Sequence, residues 1–498
     1  MIDRAGKIKY VIAGSASEIV IPDISQYRVA PDRLRGLRCV HTHLAREPLT
    51  KDDLSDLALL RLDMMAAVTM SDDGRPDQIH AGHIIPENEG RAPYRMLQPL
   101  PPHGMDIGFL KMIRAIESEL SRSRILRQSG QKTDRALIIN ATFAPKESVE
   151  TSLDELTELA ATSGIEVADR IIQRRKKMDP KFVMGLGKLQ EAAITALSKG
   201  ASLIIFDQEL SPSQVRSIAD VIELKVIDRT QLILDIFAQR AKSREGKIQV
   251  ELAQLQYLLP RLATKNRAMS RLTGGIGARG PGETKLEINR RRAREKIQRL
   301  QKDLSKVKKQ RRQQKAKRKK NELPTISIVG YTNAGKSTLL NSLTKSDVMV
   351  ENKLFATLDP SSRRLKLPRD TNVIITDTVG FIRDLPKELA KAFRSTLEEV
   401  ESADILLHVI DISNPRYEEQ MESVEKILLD FNLNPSLSIR VLNKQDKINE
   451  KRLWEIQRKL SGIPISAWDA STLSPLVSKM ETELIKIKET NEYSSDKR

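Results

Sequence analysis

Between residues 133 and 242 the hydrophobic pattern switches repeatedly between two periods. Short apolar runs at Ala136–Ala141, Glu166–Ile172, Ala201–Asp207 and Lys225–Asp228 read as strands. The stretches between them, Ser152–Ser163, Lys188–Ser198 and Pro212–Val221, repeat apolar residues at helical spacing. Such alternation predicts a small α/β domain with a parallel sheet. Gly185-Leu186-Gly187-Lys188 within it is better explained as the turn that starts a helix than as a nucleotide loop.

The pattern then becomes helical over 243–322. Ile248, Leu252, Leu255, Leu259 and Leu262 form one stripe, and Ala293, Ile297, Leu300, Leu304 and Val307 form another. The 4-3-4-3 spacing of both is that of a helical packing seam. A glycine-rich segment separates them (Gly274, Gly275, Gly277, Gly280, Gly282), so an antiparallel hairpin with a glycine tip is expected. From 323 to 488 strand and helix patterns alternate again, with apolar strands at Thr325–Val329, Val373–Thr376, Ile405–Ile410 and Ser438–Leu442. Residues 489–498 are polar and expected to be a disordered tail, and 1–130 form a further region of undetermined fold.

Charge changes this picture at one place. The chain of 498 residues carries a formal net charge of +18. Arg290–Lys320 holds 17 Lys/Arg against 2 Asp/Glu, and Lys265–Asn289 adds 5 against 2, so these two stretches carry the whole excess. Like charges at helical spacing destabilise a helix that has no anionic partner, so this arm is expected to bind a polyanion. No aromatic residue occurs from Met269 to Leu323, which removes base stacking and favours phosphate contact. Arg174, Arg175, Lys176, Lys177, Lys181 and Lys188 make a second basic loop. One cysteine, Cys39, excludes an intrachain disulfide. Met1 to Gly14 lacks the design of a secretion signal, and no apolar run approaches roughly eighteen residues. A cytoplasmic monomer is expected, with peripheral membrane association as the alternative.

The chemistry sits in the last strand–helix region. Thr325–Val329 leads into Gly330-Tyr331-Thr332-Asn333-Ala334-Gly335-Lys336-Ser337 and a helix beginning Thr338: GxxxxGKS in a strand–loop–helix setting. Its amides can face phosphate oxygens, with Lys336 on the β- and γ-phosphates and Ser337 on Mg²⁺. Asp377-Thr378-Val379-Gly380 follows a strand; Asp377 can reach Mg²⁺ through water, and the Gly380 amide can sense the γ-phosphate. In Phe355-Ala356-Thr357, Thr357 is the natural third Mg²⁺ group. Asn443-Lys444-Gln445-Asp446 offers a carboxylate to guanine N1–H and the 2-amino group, donors that adenine lacks. Ser466-Ala467 is a weaker match to a guanine-contacting loop. Lys336, Thr357 and Gly380 are the expected catalytic set, in a parallel-sheet P-loop GTPase domain with helices on both faces. Phe381 stands where Ras-like enzymes place a water-orienting glutamine, so slow intrinsic hydrolysis is expected. Asn333 matches the asparagine of potassium-stimulated GTPases, which makes K⁺ a candidate cofactor.

Together, Gly274–Thr284, Leu286, Glu287, Arg290–Arg292, Gly330–Ser337, Phe355–Pro360, Asp377–Pro386 and Asn443–Asp446 resemble an HflX-type GTPase of the Obg–HflX branch. The resemblance implies Mg²⁺-dependent GTP hydrolysis stimulated by ribosomes, binding to the large subunit and its RNA, and dissociation or rescue of ribosomes. Gly274, Gly275, Gly277, Arg279, Gly280, Arg290, Arg291 and Arg292 are the RNA-contact candidates. Two other readings remain: a membrane-surface signalling GTPase, and an RNA-binding scaffold with structural GTP.

Five of six histidines, His41, His43, His80, His83 and His103, lie in 1–130. His41-Thr42-His43 follows a strand at Leu37–Val40 and precedes Asp52, Asp53, Ser55 and Asp56. The arrangement resembles in part the HxH–acid pattern of JAB/MPN-type zinc domains, with zinc as the implied metal and Glu18 as the upstream glutamate. The proline and serine of that pattern are displaced here.

Overall fold

The computed structural model describes residues 1–15, 19–22, 24, 26–27, 33–44, 46–85, 93–103, 108–129, 134–222, 224–262, 285–319, 323–344, 355, 361–378, 380–383, 400–401, 403–433 and 437–495. Glu18, the tip residues Gly274, Gly275, Gly277, Arg279, Gly280 and Gly282, and the loop residues Ala356 and Thr357 lie outside them. The chain forms two compact units, Met1–Arg229 and Thr230–Arg498.

The first unit contains two sheets. In one, β1 (Ile2–Asp3), β2 (Leu37–His43), β3 (Met64–Met70), β4 (Pro76–Ile84) and β5 (Tyr94–Met96) lie in sequence order. β2 and β3 are parallel and connected through α1 (Lys51–Leu59); the other neighbours are antiparallel. Thr50 and Asp53 start α1 by capping each other's backbone amides. α2 (Phe109–Ser129) buries Ile113 and Ile116 with Leu54 and Leu57 of α1 and Leu37 and Cys39 of β2. The strand expected to end at Val40 runs on to His43, so the two histidines are strand residues and share a face with Cys39.

The second sheet realises the alternation read from the pattern. β6 (Asp134–Thr142), α3 (Lys146–Thr162), β7 (Ile165–Arg174), α4 (Leu186–Ser198), β8 (Leu203–Phe206), α5 (Pro212–Ala219) and β9 (Lys225–Asp228) follow one another. The strand order is β7-β6-β8-β9 and every neighbour is parallel. Gly185 is the N-cap of α4, the helix-starting role expected for it. Leu137, Ile139 and Phe206 of this sheet pack against Leu189 and Ala192 of α4 and Ile218 of α5, and Leu59 of α1 joins the same core.

The second unit opens with α6 (Arg229–Arg240, from Thr230) and α7 (Arg244–Leu262), followed by α8 (Lys285–Lys319). The two predicted stripes meet: Ile248, Leu252 and Leu300 are buried together, with Leu255, Ile297 and Leu304 around them. Lys296 pairs with Glu251 across the seam. β10 (Thr325–Gly330), α9 (Lys336–Thr344), β11 (Ser361–Lys366), β12 (Asn372–Asp377), β13 (Ile405–Asp411), α10 (Tyr417–Asp430), β14 (Ser438–Asn443), α11 (Glu450–Leu460), β15 (Ile463–Pro464) and α12 (Ser474–Ser495) complete the unit. The strand order is β11-β12-β10-β13-β14-β15, parallel except for the β11 edge. Helices cover both faces. Val441 packs with Leu339 of α9 and Leu476 of α12, whereas its neighbour Leu442 packs with Tyr417 of α10 and Ile456 of α11.

One expectation is corrected at the C-terminus. The tail placed at 489–498 is helical to Ser495, because α12 is anchored through Leu476, Met480 and Leu484 and elongation needs only one further bond per residue. Among the described residues no helix is long and apolar enough to cross a membrane.

Candidate nucleotide-binding site

The phosphate loop leaves the carboxyl end of β10 and turns into α9, the position where open α/β sheets bind ligands. Its backbone requires particular residues. Gly335 has φ +94°, and a side chain there would run into the Asn443 amide. Asn333, exposed, takes the left-handed φ of +62° that asparagine tolerates. Tyr331 and Thr332 are buried, and Thr338 is buried in the first turn of α9.

Lys336 is buried, and its ammonium donates to the carbonyls of Gly330 at 3.1 Å and Tyr331 at 2.8 Å. Burial pulls it down to about 8, against a smaller opposing effect of the Asp377 charge. A polyphosphate beside it would favour the charged form. Ser337 donates to Asp377 at 2.7 Å, which sets a hydroxyl and a carboxylate oxygen side by side. An all-oxygen pair of this kind suits Mg²⁺, and Asp377 is fully buried at the end of β12.

The segment after Asp377 is bonded to the phosphate loop. Phe381 N–H donates to Gly330 O at 3.1 Å, and Thr332 N–H donates to Phe381 O at 2.7 Å. The Tyr331 hydroxyl accepts from Arg383 N–H at 2.9 Å, and Thr378 donates to Ile328 O at 2.6 Å. Phe381 is therefore a buried structural residue beside the loop. A side chain at Gly380 would approach Lys336 Nζ to 3.1 Å and Thr332 Cγ2 to 2.9 Å, so glycine keeps this peptide close to the phosphate loop.

Asn443 joins three loops. Its amide donates to Ala334 O at 2.8 Å and accepts from Ala467 N–H at 2.9 Å. Lys444 adopts φ +65° and pairs with Asp411 at 2.7 Å. Asp446 is exposed on the short turn Gln445–Lys447. Ser466 and Ala467 are buried, and Thr472 holds Ser466 through both backbone groups. Asp411 escaped the reading of the sequence; the acidic residue directly after the apolar run of β13 was the available signal. Phe355 is buried against Phe237.

Arg290 is half-buried on α8 and Arg291 and Arg292 are exposed. In the second basic loop, Arg174, Lys176, Lys177 and Lys181 are exposed, while Lys188 pairs with Glu191 at 2.6 Å. Of the N-terminal histidines, His41 and His43 converge with Asp53, whereas His80 and His83 lie on β4. Asp56, on α1, is pushed up to about 6 by burial and by Asp53 and Asp52.

A phosphate loop, a DxxG strand end and an NKxD turn at the carboxyl edge of one parallel sheet define a guanine-nucleotide-binding domain of the P-loop class. Family models agree: residues 150–238 match the GTP-binding GTPase N-terminal region, 240–318 its middle region, and 325–444 the 50S ribosome-binding GTPase family. A GTPase HflX from Caldanaerobacter subterraneus is 47% identical over 72% of this chain and 83% of its own. The Escherichia coli GTPase HflX is 42% identical over 66% and 80%. A GTP-binding protein from Sulfolobus solfataricus, solved with GDP, is 26% identical over 71% of this chain and all of its own, with a TM-score of 0.40. The chain belongs to the HflX family of GTPases. It binds GTP and hydrolyses it.

Proposed function

We propose that this GTPase binds the large ribosomal subunit through ribosomal RNA and couples its GTP cycle to dissociation or rescue of ribosomes. The supporting observation is continuity. α8, which carries Arg290–Arg292 and most of the excess charge, leads through residues 320–324 into β10, and β10 ends in the phosphate loop. An arm that meets RNA phosphates is thus built directly onto the strand that presents the nucleotide. The tip residues Gly274, Gly275, Gly277, Arg279 and Gly280 supply close backbone approach to RNA in this reading. The factor works as a cytoplasmic monomer.

In the proposed site Gly330–Thr338 cradle the phosphates, Phe355 and Ala356 flank the nucleotide, and Asn443, Lys444, Asp446, Ser466 and Ala467 hold guanine. Ser337, Thr357 and Asp377 would hold Mg²⁺, which when bound neutralises phosphate charge. Lys336 and the Gly380 amide stabilise charge on the transferred group. Phe381 offers no group to orient water, so the ribosome or a K⁺ near Asn333 completes the site.

GTP hydrolysis measured with and without large subunits, in K⁺ and in Na⁺, tests this. Stimulation by subunits that is lost on deleting residues 274–282, with GTP affinity retained, is expected. Unchanged stimulation in the deletion would remove the arm's role, and equal rates in K⁺ and Na⁺ would remove the potassium.

A further inference from the structure

We propose that His41, His43 and Asp53 form a divalent-metal site of the zinc class, with three protein ligands and one position open to water. The site lies outside the three stretches that match GTPase family models. It belongs to a β–α–β unit, with two ligands from the carboxyl end of β2 and the third from the first turn of α1.

The distances approach those of a coordination polyhedron. His41 Nε2 and His43 Nε2 are 2.9 Å apart, and Asp53 places Oδ1 at 3.2 Å from the first and Oδ2 at 3.4 Å from the second. Ligand bonds of about 2.0–2.1 Å in a tetrahedron require edges of roughly 3.3 Å. The two imidazole nitrogens therefore sit near two corners, each faced by a different oxygen of Asp53. With one ligand atom from each residue inside 4.8 Å, a small turn of the carboxylate lets one divalent ion take all three side chains.

The surrounding bonds prepare these atoms as ligands. His43 Nδ1–H donates to Glu47 O at 3.0 Å, which leaves the lone pair of the neutral ring on Nε2, facing the cluster. A backbone acceptor on the far nitrogen is the usual way a metal-binding imidazole is held in one tautomer. Asp53 is fixed by the Thr50 backbone amide and hydroxyl, both at 2.7 Å, so its carboxylate is oriented before any ion arrives. The side chains of His41, His43 and Asp53 are 7%, 10% and 15% exposed, enough for a small ion and a water but not for a hydrated surface cluster. The N-terminus of α1 opposes a cation, and Asp52, Asp53 and Asp56 on that helix offset it. Two imidazoles and one carboxylate are a borderline donor set that suits zinc rather than Mg²⁺ or Ca²⁺.

The test uses the untagged full-length chain stripped of metal and titrated with Zn²⁺ against a chromophoric chelator. One tight equivalent is expected in the wild type. His41→Ala and His43→Ala should each weaken it on the order of a hundredfold or more, with GTP affinity and circular dichroism unchanged. Co²⁺ added to the unmodified chain gives a readout independent of any variant, and the intense visible bands of a four-coordinate ion are expected. Zinc held equally by wild type and the His41/His43 double variant, or a Co²⁺ spectrum of the hydrated ion, would overturn the site and leave a hydrogen-bonded cluster.

Discussion

The ring of Phe355 lies against that of Phe237, with centroids 4.6 Å apart and planes inclined at 48°. Phe355 immediately precedes Ala356 and Thr357, whereas Phe237 belongs to α6, upstream of the basic hairpin. Both are buried. Removing either by substitution to alanine should cost about 3 kcal/mol in chemical unfolding, and the pair should couple by about 1 kcal/mol beyond additivity. A double-mutant cycle measures that coupling directly, and strictly additive losses would show that the rings act independently.

Asn443 holds the Ala334 carbonyl and the Ala467 amide with one side chain. Alanine at 443 leaves both groups without it and loosens the phosphate loop from the guanine loop. The expected loss is about 2 kcal/mol, roughly thirtyfold in affinity for GTP and GDP alike. Fluorescent-nucleotide titration checks it; an affinity within threefold of wild type would mean that the loops hold without the amide.

Ser337 and Asp377 already share a hydrogen bond at 2.7 Å. Ser337→Ala removes one of the oxygens assigned to Mg²⁺, so the Mg²⁺ concentration needed for half-maximal hydrolysis should rise by roughly tenfold, about 1.4 kcal/mol. Nucleotide binding in excess Mg²⁺ should be largely retained. An unchanged Mg²⁺ midpoint would take Ser337 out of the metal shell.

His408 is a pH liability within the central sheet. It sits on β13 between Val329 of β10 and Arg440 of β14. Burial first, then the charges of Arg440 and Lys336, push its imidazole down to about 4 from 6.5. Between those values the unfolded chain binds a proton that the folded chain refuses. Stability is therefore unaffected above pH 6.5 and declines as the pH falls toward 4, by up to about 3 kcal/mol. Urea midpoints across this window should fall more steeply for wild type than for His408→Leu, and parallel curves would exonerate the histidine.

How much of this was readable depended on whether a feature is local. The phosphate loop, the DxxG strand end and NKxD could be read because phosphate and guanine contacts demand fixed residue types at fixed spacing. The Asp411–Lys444 pair could not, because it depends on the β13–β14 register that sets Asp411 opposite Asn443. β11 also escaped: among Ser361–Lys366 only Leu365 is buried, so an edge strand carried no apolar period. β3, with its run of Met and Ala, fits helix and strand patterns equally. At His41-Thr42-His43 the residue types were visible, but their convergence with Asp53 required β2 to extend to His43 and a capping box to turn the carboxylate back.

Leu59 gives the N-terminal region a different standing from an appended module. It is the last residue of α1, yet it is buried among Leu189, Ala192 and Phe206 of the neighbouring sheet. A chain trimmed at residue 130 would expose that greasy seam to water, and grafting the region onto a shorter relative would need a matching recess on α4. The first 130 residues and the sheet beside them therefore share a core, and should be engineered as one piece.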